Sequence, residues 1–177
     1  MNDLNKTLVE IIRSQLGRHE EGGNNLGPDV VRYQQSTWLQ PGPWPWCAAF
    51  VSWCIREWLK QPEVLRYFNL ATEQAEKWRC RSANVTDWVE WARNKNCAVL
   101  DNTQPAHAGD IVVFTFKPGE LSHIGFCIAD QLAAGNPIQT IEGNTNNAGA
   151  ADSTHGDGVV TKNRSTKLVA HYLRLVS

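Results

Sequence analysis

The sequence predicts an α+β fold, in which N-terminal helices pack on a mostly antiparallel sheet of about five to six strands. Apolar residues up to about residue 97 recur at helical spacing, three or four positions apart. From about 98 onward the runs become β-branched and aromatic, and turn signals such as KPGE, AAGNP and HGDG separate them. Helices first and strands second is the α+β order, with the helices on one side of the sheet. The chain has 177 residues, which suits one domain spanning 1–177, with a helical part of about 1–97 and a sheet part of about 98–177. The boundary between them reads as a change of layer, since no linker composition marks it.

The elements follow in order. Leu4, Leu8, Ile11, Ile12 and Leu16 predict a helix over 4–17, ended by Gly17 or by EGGNN. GPDVVRYQQSTW predicts a second helix, with Pro28 at its first position and Asp29 in its first turn. LQPGPWPW is a rigid loop. A third helix runs over 47–60, where Ala48, Phe50, Val51, Cys54, Ile55, Trp58 and Leu59 cover so much of the surface that it is central and buried. One or two short helices occupy 62–82. TDWVEWARNK is an amphipathic helix with Thr86 as its N-cap. Strands are expected over 110–116, 123–129, 138–142, 158–162 and 168–176.

Composition narrows the function classes. The chain is 42% hydrophobic and 20% charged, with a formal net charge of −1. It has no basic cluster of the kind that nucleic-acid binding requires. No apolar window approaches the roughly 18 residues of a membrane span. The N-terminus MNDLNKTLVEIIRSQLGRHE lacks the basic start and long apolar core of a secretory signal, so the protein is expected to be made in the cytoplasm. Five cysteines, at 47, 54, 80, 97 and 127, include no C-x-x-C pair, so zinc-finger spacing is absent and at least one thiol stays free. Cys80 and Cys97 are left open as a pair. All eight tryptophans fall between 38 and 91, as aromatic core or as walls of a groove.

Three places carry candidate chemistry. Cys47 stands where the proline-rich loop meets the third helix. A helix N-terminus favours a thiolate, and Pro43 and Pro45 keep the helix from extending backwards. A buried free cysteine is equally a small hydrophobe. His123 opens a strand after a polar turn, which predicts a half-exposed ring able to reach a neighbouring element. Gly125 shares its strand face and is expected to leave room for the third helix. Glu142 and Asn144 end a strand two residues apart. Either is able to accept a histidine ring N–H and fix its tautomer, or to belong to an ordinary turn. His19, His107, His155 and His171 show no spacing typical of a metal site.

The sequence is similar to the CHAP family, cysteine amidohydrolases and peptidases of the papain-like NlpC/P60 superfamily. EEGGNNLGPDVVRY resembles the segment upstream of the family cysteine, PWCAAFVSW the nucleophile motif and AGDIVVF the strand before the histidine. SHIGFCIAD resembles the histidine strand and IEGNTNN the strand of the third residue. The resemblance implies peptidoglycan hydrolysis, at the N-acetylmuramoyl-L-alanine bond or within the peptide stem or cross-bridge. It implies Cys47 as nucleophile, His123 as base and Glu142 as orienter. Asn144 is then an auxiliary polar group near the histidine, and Trp46 adjoins the oxyanion region. No metal or cofactor is implied. The stretch 60–82 is longer than usual for the family and is expected to cover part of the groove. The same fold acting on protein amides, as a transamidase or deamidase, is the alternative within enzymes, and a catalytically silent wall-binding module is the alternative outside them. A wall substrate without a signal peptide fits a phage lysin or an antibacterial toxin. The toxin would act in the periplasm of a target cell after delivery by a secretion machine, with a cognate immunity protein as partner.

Overall fold

The computed structural model describes residues 1–146 and 157–176, and the expected turn at HGDG, with His155, lies largely outside them. Six α-helices precede the sheet among the described residues: α1 Asp3–Arg13, α2 Pro28–Gln34, α3 Cys47–Trp58, α4 Pro62–Tyr67, α5 Thr72–Trp78 and α6 Val85–Asn94. The helix starts are set by local chemistry. Asn2 caps α1 by accepting from the Asn5 N–H, and Pro28 and Pro62 open α2 and α4. Helix α6 starts two residues earlier than expected, because Asn84 rather than Thr86 is its cap: the Asn84 side chain accepts the Thr86 N–H.

Two helices end sooner than expected. Helix α1 stops at Arg13, where the chain tightens into i→i+3 turns and leaves through Gly17 at φ 82°. Helix α2 stops at Gln34, because the Ser36 and Thr37 hydroxyls take the carbonyls of Tyr33 and Gln34.

The sheet is six-stranded and antiparallel throughout: β1 Ala98–Leu100, β2 Ile111–Phe114, β3 His123–Cys127, β4 Ile138–Thr145, β5 Gly158–Arg164 and β6 Val169–Arg174, in the order β1-β6-β2-β3-β4-β5. The architecture is therefore α+β. The short edge strand β1 was not foreseen. The four-residue β2 and five-residue β3 are shorter than their apolar runs, whereas β4 extends three residues further and is irregular after Glu142.

Helix α3 sits between the other helices and the sheet. Ten of its twelve residues are buried. Its Phe50 packs edge-on against Phe126 of β3, and one apolar cluster joins α1, α2, α3 and α6 to Ile111, Val113, Ile124, Phe126 and Ile141. A second cluster, with Val112, Phe114, Cys127, Ile138 and Tyr172, contains the alternate residues of β2 and β3 and so covers the other sheet face. All five cysteines are free thiols, so the open Cys80–Cys97 pair is not a disulfide.

Candidate active site

Cys47 is the first residue of α3. The residue before it, Trp46, offers no side-chain cap, so the first-turn N–H groups meet the thiol without a competing side-chain acceptor from the cap position. The loop that delivers Cys47 is stitched from behind. The Trp46 N–H donates to Asn144 Oδ1 at 2.8 Å, and its indole Nε1 donates to Glu20 Oε1 at 2.8 Å. Glu20 Oε2 accepts the Asn25 N–H, and Asn144 Nδ2 donates to Asn25 Oδ1. Asn144 reaches this position because the β4 irregularity puts it at φ 56°, a left-handed conformation that asparagine tolerates.

The structure gives Asn144, Trp46 and Gly125 distinct surroundings, and it corrects the expectation for Gly125. The irregularity after Glu142 turns Asn144 to the Trp46 backbone, whose N–H its Oδ1 accepts. Trp46 is fully buried and stacks on Tyr33 at 5.4 Å, so it is core rather than groove wall. Gly125 does not make room for α3. A Cβ there would stand 2.6 Å from Glu142 Cγ, so its space belongs to the carboxylate, and Gly143 is the residue against which Phe50 and Trp46 pack.

His123 opens β3 and is wholly buried rather than half-exposed, because Phe114 and Phe116 stack beside its ring at 5.8 and 5.9 Å. Its Nε2 lies 2.9 Å from Glu142 Oε2. A carboxylate only accepts, so Nε2 carries a proton toward Glu142, and Nδ1 is the nitrogen left to exchange a proton with Cys47. Nδ1 is buried and has no partner of ordinary hydrogen-bond geometry among the described residues. The Cys47 thiol nevertheless lies close enough to bind the ring's proton. Burial pushes the His123 pKa down, but the interactions with Cys47 and then Glu142 outweigh it and hold it raised, at about 9.

Glu142 is also wholly buried, and both oxygens are doubly engaged. Oε1 accepts from Thr140 Oγ1 at 2.5 Å and Arg164 Nε at 2.9 Å; Oε2 accepts from His123 Nε2 and from Arg164 Nη2 at 2.6 Å. Burial alone would raise its pKa. The Arg164 fork and then His123 overcome that and hold it down at about 2. Sequence reasoning missed Arg164, Thr140, Glu20 and Asn25. Thr140 had a legible signal, since it shares a strand face with Glu142; the others are brought in by distant pairings.

Beside Cys47 runs a groove of about 420 Å³, lined by Leu39, Trp44, Pro45, Asn84, Leu121 and Ser122 among others. Trp44, left open by the sequence between core and groove wall, is thus a wall. Residues 83–85 line this groove, and of the stretch 60–82 only the end, Arg81 and Ser82, lines the depression that adjoins it. His107, His171 and His19 are not among the residues that line this groove. Among the described residues no group of three His, Cys, Asp or Glu side chains could hold a metal ion, and no helix is long and apolar enough to cross a membrane. A thiol, a histidine and an ionised carboxylate thus form a line at the edge of a groove, an arrangement suited to acyl transfer.

The profile of the CHAP domain matches residues 39–144, a span that includes Cys47, His123, Glu142 and Asn144. No curated protein matches. A solved structure titled "The crystal structure of Ly7917" aligns over 98% of this chain at 16% identity, with a TM-score of 0.48, and this chain spans 62% of that one. The chain belongs to the CHAP domain family, whose amidases and peptidases are hydrolases of peptidoglycan.

Proposed function

We propose that this protein cleaves an amide bond in bacterial peptidoglycan by a thiol mechanism, with Cys47 as nucleophile, His123 as acid and base, and Glu142 as the group that orients it. The observation that carries the reading is the buried His123–Glu142 bond, which leaves Nδ1 open toward Cys47 inside the span matched by the family. His123 Nδ1 takes the proton from Cys47 Sγ, and the sulfur attacks the amide carbonyl carbon. The resulting oxyanion is met by the Cys47 N–H in the uncapped first turn of α3. The proton on Nδ1 then passes to the leaving nitrogen, the C–N bond breaks and a thioester remains. Water, losing a proton to Nδ1, hydrolyses the thioester and restores the thiol. The peptide lies along the groove between Trp44 and Leu121. That groove continues past Ala83 and Asn84 to a second depression with the exposed Trp38 and with Arg81, which gives a long polymer a continuous track.

The wall lies outside the cytoplasm, so the proposal includes release by lysis or delivery by a secretion machine. In the delivered case, an immunity protein is expected to seat over the same groove. The test is digestion of purified peptidoglycan, read as released muropeptides by mass spectrometry. Wild type releases products and Cys47→Ala releases none, while Cys54→Ala and Cys127→Ala stay active. Product masses also separate the muramoyl bond from a stem or cross-bridge bond. Identical profiles from wild type and Cys47→Ala would sink the reading.

A further inference from the structure

We propose that Arg164 is a positioning residue of the reaction, the fourth member of a line Cys47–His123–Glu142–Arg164. The inference rests on the thiol reading above and extends it. Arg164 ends β5 and is nearly buried, at 6% exposure. Its Nε and Nη2 donate in a fork to the two oxygens of Glu142, at 2.9 and 2.6 Å. Its guanidinium lies 5.5 Å from the ring centres of both Phe114 and Phe116, the same two rings that stack on His123. Ring, carboxylate and guanidinium therefore share one aromatic box. The fork fixes the carboxylate plane, and the plane fixes where His123 Nε2 points.

Charge gives the second part of the argument. During the reaction the line reads thiolate, imidazolium, carboxylate, guanidinium, so it alternates in sign and sums to zero. Without Arg164 the buried line carries a net −1. The groups facing Glu142 are His123 from β3, Thr140 from its own strand, and Arg164 and the part-exposed Lys162 from β5, with Cys47 of α3 reaching it only through His123. A Glu142 that loses its fork picks up a proton more easily, stops supporting the imidazolium, and leaves Cys47 less able to hand over its proton.

The test measures Cys47 alkylation by iodoacetamide across pH, read at the Cys47 peptide by mass spectrometry, in wild type, Arg164→Met and Arg164→Lys. This readout needs no wall substrate. In Arg164→Met the alkylation profile moves to higher pH by about one unit or more, and turnover on peptidoglycan falls about ten- to a hundredfold with KM little changed. Arg164→Lys keeps the charge but not the fork, and falls between the two. If Arg164→Met does not fold, Arg164→Lys decides. A wild-type profile in whichever variant folds overturns the proposal, because a merely structural arginine would alter the melting temperature and not the pH dependence. Failure of the wall-hydrolysis reading is separate: it would show as unchanged digestion in Cys47→Ala while the alkylation shift persists.

Discussion

An alanine Cβ at Gly143 would stand 2.7 Å from Phe50 Cβ and 2.8 Å from the Trp46 ring, and one at Gly125 would stand 2.6 Å from Glu142 Cγ. The two substitutions look alike on paper and have different consequences. Gly143→Ala forces α3 away from β4, and is expected to cost about 1–3 kcal/mol of stability, read as a lower denaturant midpoint at unchanged m-value. Gly125→Ala displaces the carboxylate that orients His123, so its loss of turnover is expected to exceed what its loss of stability explains. Equal scaling of both losses in the two variants would contradict this division.

Titration at the same residues sets a pH window. His123 has its pKa raised from 6.5 to about 9, so its contribution to stability is complete below 6.5 and is lost as pH rises through 9. Glu142 has its pKa lowered from 4.5 to about 2, so its contribution is complete above 4.5 and is lost as pH falls toward 2. Denaturant midpoints are therefore expected to be highest near pH 5–6 and to decline toward 9, with His123→Ala flattening the alkaline decline. A wild-type midpoint that does not change between 6.5 and 9 would contradict the coupling.

At the scale of elements, the nucleophile loop depends on partners far away in sequence. Glu20→Ala removes the acceptor of both the Trp46 indole N–H and the Asn25 N–H. It is expected to cost about 1–3 kcal/mol and to slow turnover as the Cys47 end of α3 loosens, checked by melting and muropeptide release together. These partners also mark the limit of what the sequence shows. The start of α3, the burial of that helix and the antiparallel runs after 98 are legible because each is a local pattern.

Asn84 as a cap was hidden by Thr86, two residues on, a type equally suited to the position. Strand β1 has three residues and no alternation to read. His123 reads as half-exposed from its place at a strand start, and only Phe114 and Phe116, stacked beside it, make it buried. Arg164 lies two residues beyond the strand expected over 158–162 and ends the longer β5. Its burial follows from the charge of Glu142, 22 residues away, and no local pattern records that.

At the scale of the whole molecule, helices and sheet are joined by one mixed core, since Trp46, Trp58 and Trp88 belong to the same apolar cluster as Ile124, Phe126 and Ile141. The asymmetry of the tryptophans within this architecture has a practical consequence. All eight lie between 38 and 91, and the sheet has none. Intrinsic fluorescence therefore views the helical layer alone, while far-UV circular dichroism sees both layers. Because the core is shared, the two signals are expected to trace one coincident unfolding transition; separate midpoints would mean that the layers come apart independently. Trp44, at the groove wall, turns the same asymmetry into an optical reporter. A peptide settling beside Cys47 should perturb emission from the helical side without any label being attached.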